Sequence, residues 1–259
     1  MDLHITTLGS GPIPVLALHC GLGRGSMWKG VSKHAPDLTI TAPDLPGHGR
    51  SPAFPDGVDV HDATTEAVRP LMRDWVHLAG HSFGATVALR LALEVPEQVA
   101  SLTLVEPVFF AAAANAEPKA RHRAAEERVF AAYQTGDMLA AARAFNGLWG
   151  GGVPWDSFPP EVQQGMAQGM GFIAGTEASL WGDCHGLLAP GKLEALTCPI
   201  TFLRGEDTVP IITDVHKGLM ARLPQAREVV VPCAGHMVTL THASALAEAL
   251  TTTVAAQPA

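Results

Sequence analysis

Gly80-His81-Ser82-Phe83-Gly84 stands at a junction in the chain. An apolar run, Trp75-Val76-His77-Leu78-Ala79, leads into it, and a helical stretch leaves it and ends at Val95 before Pro96. A G-x-S-x-G turn between a strand and a helix is sharp; its glycines keep side chains clear, and the serine is left strained and raised above the sheet. At the N-terminus of the following helix, Ser82 also meets a field that favours developing negative charge. That is the setting of a nucleophile. A serine hydroxyl is weak at its ordinary pKa, so it needs a general base within hydrogen-bond reach and a third group to orient that base. The chain offers 12 histidines and 25 acidic residues for those two posts.

Something must bring such groups to one place. Up to about Val108, short apolar runs alternate with helical stretches: Val15-Leu16-Ala17-Leu18-His19, Thr39-Ile40-Thr41-Ala42, the run before Gly80, and Leu102-Thr103-Leu104-Val105. Unbroken apolar runs of this length suit strands buried on both faces, joined by helices in parallel crossovers. The fold class is therefore α/β, a mostly parallel, doubly wound sheet flanked by helices. From about Phe109 to Lys192 the strand signal stops, replaced by Ala-rich helical stretches at Ala120 to Tyr133 and Met138 to Leu148, with a Gly/Pro-rich break from Gly150 to Pro160. The alternation resumes with Ile200 to Leu203 and Glu228 to Val231, and a last helix spans about Thr241 to Val254. The expected organisation is a core of residues 1–108 and 193–259 and a helical lid of residues 109–192. Such an insertion belongs at the C-terminal edge of the strands, where open α/β sheets bind ligands.

Composition narrows the function. The chain has 259 residues and a formal charge of −8, with its basic residues scattered, which removes the electrostatic footprint of a nucleic-acid binder. No segment approaches the roughly 20 apolar residues of a spanning helix, and Met1 to Thr6 has neither a basic nor an apolar leader region. The expectation is a soluble cytoplasmic protein that meets a small-molecule substrate, with no nucleic-acid or membrane partner; no motif speaks to its oligomeric state. Cys20, Cys184, Cys198 and Cys233 form no C-x-x-C pair and have no histidine at zinc-ligand spacing, so they are read as reduced thiols, with no metal and no cofactor.

Several segments jointly resemble the α/β-hydrolase superfamily, in particular serine esterases and lactonases with a helical lid. Besides the Ser82 turn, Leu18-His19-Cys20-Gly21-Leu22-Gly23 resembles the H-G-x loop after the third strand, and Asp44-Leu45-Pro46-Gly47-His48-Gly49-Arg50-Ser51 the D-x-x-G-x-G-x-S segment. Gly205-Glu206-Asp207-Thr208-Val209-Pro210 and Gly235-His236 resemble the acid and histidine loops, in the family's order. The resemblance implies a triad of Ser82, His236 and Asp207. It also implies an oxyanion hole from the backbone N–H groups of Phe83 and Gly21, each such donor being worth about 3 kcal/mol. His242 falls within the last helix, and His81 and His48 are read as scaffold. The acid loop departs from the usual G-x-x-D spacing, since Asp207 lies two residues after Gly205 and three before Pro210. Glu206 is therefore an alternative. So is Glu106, which ends the strand Leu102 to Val105, where some related hydrolases carry their acid. Cys20 stands where the family usually has Gly, a small residue that packs there or one that narrows the loop and exposes activity to thiol reagents.

The expected chemistry is cofactor-independent hydrolysis of a small, mostly apolar ester, lactone or thioester through an acyl-enzyme. Rivals on the same scaffold are hydrolysis of a carbon–carbon bond in a ring-fission diketone, acyl transfer to an alcohol or thiol, and a ligand receptor with residual turnover. The insertion carries Met138, Phe145, Trp149, Trp155, Phe158, Met166, Met170, Phe172 and Trp181, enough to line an apolar pocket. Cys20, Leu22, Trp149, Trp181 and Met237 are the expected pocket residues.

Overall fold

The computed structural model describes residues 1–54, 57–72 and 75–256. Its centre is a seven-stranded sheet in the order β1-β3-β2-β4-β5-β6-β7. The strands are β1 (Ile5–Leu8), β2 (Ile13–Leu18), β3 (Leu38–Pro43), β4 (Val76–His81), β5 (Val99–Val105), β6 (Ile200–Gly205) and β7 (Arg227–Val231). Only β1 runs antiparallel, against β3; the other pairings are parallel. Every residue of β4 and β5 is buried, as unbroken apolar runs in a sheet covered on both faces require.

Side chains alternate between two cores, following the two-residue period of a strand. Leu16, Leu18, Leu78, Leu102, Leu104 and Phe202 pack on one face, with α2 (Val60–Val68), α3 (Phe83–Glu94) and α9 (Pro210–Met220). Val15, Ala17, Ile40, Ala79, Val105 and Leu203 face the other side, against α1 (Lys29–His34) and α11 (Ala243–Ala255). A single turn of helix, α10 (Val238–Thr241), precedes α11.

Between β5 and β6 the chain forms only helices among the described residues: α4 (Ala116–Gln134), α5 (Met138–Trp149), α6 (Pro160–Gln168), α7 (Met170–Gly175) and α8 (Glu177–Gly182), with short 3₁₀ turns. This insertion has a small core of its own, in which Val129, Ala141, Ala142, Ala167 and Met170 pack with Met138 and Trp155. It is pinned to the sheet domain where Asn115 donates to Asp214, from its backbone N–H at 2.7 Å and its side chain at 2.6 Å.

Because β2 to β7 are parallel, their C-terminal ends share one edge. The loops at His19 to Gly23, Asp44 to Ser51, Gly205 to Thr208 and Pro232 to Met237 all leave from it, as do Ser82 and Glu106. The ladder continues one residue past the strands: Ser82 N–H donates to Val105 O at 2.8 Å and Glu106 N–H to Leu203 O at 2.8 Å. No helix among the described residues is long and apolar enough to cross a membrane.

Candidate active site

Ser82 has φ 56° and ψ −118°, a left-handed backbone that costs a non-glycine residue on the order of 1–3 kcal/mol. Its neighbours show why the turn needs glycine. A Cβ on Gly80 would come within 2.3 Å of Gly84 O, and one on Gly84 within 2.4 Å of His19 O. Close approach of α3 to β4 and to the His19 loop therefore holds the strained turn in place.

His236 reaches Ser82 from the loop after β7, its Nε2 lying 3.0 Å from Ser82 Oγ. Its Nδ1 lies 2.9 Å from Glu106 Oε2. Donation from Nδ1 to the carboxylate leaves the Nε2 lone pair to accept the serine proton. Glu106 is fully buried and is fixed from two more sides, accepting from Gly205 N–H at 2.7 Å and from the Thr208 hydroxyl. Burial pushes its carboxyl up, but the hydrogen bond and charge of His236, helped by Thr208 and Gly205, more than offset this and hold it below the usual carboxylate range. Like Ser82, Glu106 has a positive φ, 52°.

The acid loop does something other than the spacing suggests. Asp207 is exposed, and its backbone N–H donates to Ala234 O at 2.9 Å. Glu206 is also exposed; its N–H donates to Val231 O at 2.9 Å and its carboxylate accepts from Cys233 N–H at 3.3 Å. The shortened loop is thus stitched along its backbone to the loop that carries His236, and neither side chain makes a hydrogen bond to the imidazole. The expectation of Asp207 as the partner of His236 is corrected to Glu106, the alternative one strand earlier. Thr208 and the Gly205 N–H, which the sequence did not single out, serve that carboxylate.

Other histidines brace the loops. His81 Nε2 meets His236 O at 2.9 Å, linking the Ser82 turn to the histidine loop. His19 Nε2 accepts from Leu45 N–H at 2.8 Å, and His48 Nε2 accepts from Leu22 N–H at 3.0 Å. Burial, with a neighbouring imidazole in each case, pushes both His19 and His81 down to about 3, so they stay neutral. Asp44 completes this scaffold by accepting from Gly25 N–H at 2.8 Å and Arg50 N–H at 2.9 Å.

Ser82 and His236 open onto a cavity of about 690 Å³ under the insertion. Gly21 and Phe83 are on its wall, together with all five expected pocket residues, Cys20, Leu22, Trp149, Trp181 and Met237. The Trp149 ring lies 4.5 Å from that of His236. Phe145, Phe158, Met166 and Phe172 also line the cavity; Phe145 and Met166 pack at the same time on the insertion's own core, to which Met138, Trp155 and Met170 belong without lining the cavity. Cys20 is buried with its Sγ 4.0 Å from Met27 Sδ, and burial pushes its thiol up to about 12. All four cysteines are free. Among the described residues, the one group with metal-ligand chemistry is Asp59, Cys184 and His185, whose donor atoms lie within 4.8 Å of one another. His185 Nε2 lies 3.3 Å from Asp59 and its Nδ1 3.4 Å from Asp62, so the cluster brings the end of the insertion to the start of α2.

Known proteins share both the sequence and the shape. Over 110 residues the chain is 43% identical to lipase LipV of Mycobacterium tuberculosis, a match covering 41% of this chain and 42% of that protein. The first curated relatives are thus matched over only about two fifths of their length. A pimeloyl-[acyl-carrier protein] methyl ester esterase of Aromatoleum aromaticum is 28% identical over 239 residues, 88% of this chain and 93% of that one. Among solved structures, a 2-hydroxy-6-oxo-6-phenylhexa-2,4-dienoate hydrolase from Rhodococcus sp. strain RHA1 superposes with a TM-score of 0.72 at 21% identity, covering 98% of this chain and 95% of that chain. An esterase from Exiguobacterium antarcticum gives a TM-score of 0.72 at 18% identity, covering 98% and 96%. The model of the alpha/beta hydrolase family matches residues 15–249, and the chain belongs to that family.

Proposed function

We propose that this protein is a serine hydrolase that cleaves small, mostly apolar carboxylic esters, lactones or thioesters through an acyl-enzyme. One observation carries the reading: a continuous relay from Ser82 Oγ through His236 to a buried carboxylate opens onto an apolar cavity. Ser82 Oγ attacks the acyl carbonyl while its proton passes to His236 Nε2. Glu106 holds the imidazole in the tautomer that can accept this proton and stabilises the imidazolium that forms. The N–H groups of Phe83 and Gly21 receive the developing oxyanion. His236 then protonates the leaving alkoxide or thiolate, and water, activated by the same imidazole, releases the acid and restores Ser82. The insertion serves as a lid that supplies the acyl pocket.

The lipase and methyl ester esterase relatives support the ester class. A fluorophosphonate should label Ser82 stoichiometrically, and a p-nitrophenyl ester series graded by chain length should be turned over, beside a thioester and a lactone. Labelling at another serine, or no turnover of any member, would overturn the reading.

A further inference from the structure

Besides His236, one basic and two acidic residues line the cavity: Arg24, Glu126 and Glu177. Arg24 is exposed, and Glu177 is paired with Arg123 at 2.9 Å. Glu126 differs, being only 8% exposed. Its Oε2 accepts from Trp181 Nε1 at 3.1 Å. Its Oε1 lies 3.5 Å from His122 Nε2, a contact too long for a good hydrogen bond, and that nitrogen is itself buried without a hydrogen-bond partner. Arg123 stacks over the Trp181 ring, 4.1 Å from its centroid, and its charge goes to Glu177. A carboxylate has about four acceptor sites, and this one borders the cavity. Here one is filled well.

The position of Glu126 follows from the rings around it. Trp149 packs on His236, His122 meets Trp149 edge-on with centroids 5.1 Å apart, and Trp181 stacks on His122 at 6.0 Å. Glu126 is bonded to Trp181 and near His122, so the rings of His122 and Trp149 stand between it and His236. We propose that Glu126 is a recognition site for a hydrogen-bond donor, a hydroxyl or an amine, carried on the acyl chain of the substrate.

The inference rests on the serine-hydrolase reading and deepens it. Its test is a set of p-nitrophenyl esters of straight-chain acids of increasing length, each as the parent and with a terminal hydroxyl or amino group. At one chain length, kcat/KM for a donor-bearing ester should exceed that of its parent by about tenfold, the worth of one hydrogen bond to a charged group. Glu126→Gln keeps an acceptor but no charge, so it should remove preference for the amine and spare that for the hydroxyl; Glu126→Met should remove both. If Glu126→Met does not fold, Glu126→Gln, which preserves the Trp181 bond, still decides the amine arm, and a hydroxyl-only preference would assign the site to a neutral donor. Parent esters favoured at every length, an amine preference unchanged in Glu126→Gln, or a hydroxyl preference unchanged in Glu126→Met would overturn the proposal and reduce Glu126 to a tie between α4 and α8. Failure of the broader reading looks different: no ester is turned over and Ser82 is not labelled.

Discussion

On the sheet side of the cavity, positions are set by the backbone. Ser82 and Glu106 each extend a ladder by one rung, and the loops around them are tied by His19, His48, His81 and Asp44. On the insertion side, the wall is built from side chains: Phe145 and Trp149 on α5, Phe172 on α7 and Trp181 on α8. One side fixes atoms to hydrogen-bond precision, and the other offers area and shape. Substitutions on the sheet side should therefore act on the chemical step, and those on the insertion side on which chain fits.

The largest test of that contrast is the acid. Glu106→Gln should lower kcat on the order of 10⁴-fold with folding intact, because the amide favours the wrong imidazole tautomer. Asp207→Asn, on an exposed side chain, should stay within about twofold. Steady-state kinetics on one activated ester with both variants suffices, and the reverse result would return the acid to the β6 loop.

A second test concerns acid sensitivity, which should reside in the sheet domain. His61 on α2 is pushed down to about 3 by burial and the nearby Arg90 charge, as burial does to His19 and His81. Unfolded histidine titrates near 6.5, so between pH 6.5 and 3 the unfolded chain binds more protons than the folded one. Stability should then be fully present above about pH 6.5 and be lost as pH falls, by up to about 1.4 kcal/mol per pH unit for each of these histidines. Urea unfolding at pH 7.5 and 5.5 measures this; equal stability at the two values would show that these rings are not held neutral. Glu106 adds to the same trend only below the ordinary carboxylate range, since its folded form favours the charged state.

A smaller effect is expected on the insertion side. Trp181→Ala should shift chain-length preference by about tenfold while changing kcat/KM for an acetyl ester by less than about threefold. Equal losses on both esters would dissolve the division between the two walls. Smallest of all, iodoacetamide at pH 7.5 should leave hydrolysis unchanged, because the Cys20 thiol on the cavity wall is buried and protonated. Inactivation traced to Cys20 would mean that the loop opens.

The sequence exposed what is local. The Ser82 turn is written in five consecutive residues, and the buried strands are written as unbroken apolar runs, so both the turn that carries Ser82 and the sheet are legible. His236 was found from its place after the strand Glu228 to Val231. The edge strand β1 was missed: Ile5-Thr6-Thr7-Leu8 is short and half-exposed and gives no sustained run. The carboxylate that meets His236 is hidden for a related reason. Its identity depends on which side chain the backbone of the Gly205 loop turns outward, and that loop is governed by hydrogen bonds to Val231 and Ala234, residues far along the chain. A strand-end glutamate beside the nucleophile's strand was the available signal, and loop spacing outweighed it. The pocket was legible as an aromatic-rich insertion, but not the split between rings that line the cavity and rings that hold the insertion together.

The contact between His81 and the carbonyl of His236 joins residues 155 positions apart. It therefore sets an order of events when the chain is made from its N-terminus. The serine turn, Glu106 and the insertion all precede residues 232–237 in the chain, yet the relay cannot be completed until that last loop docks, because it carries His236 and, through Ala234, holds the loop whose Gly205 N–H meets the carboxylate. Acquisition of fluorophosphonate reactivity during refolding should thus lag behind the formation of the sheet, making the reaction itself a clock for the final step of assembly.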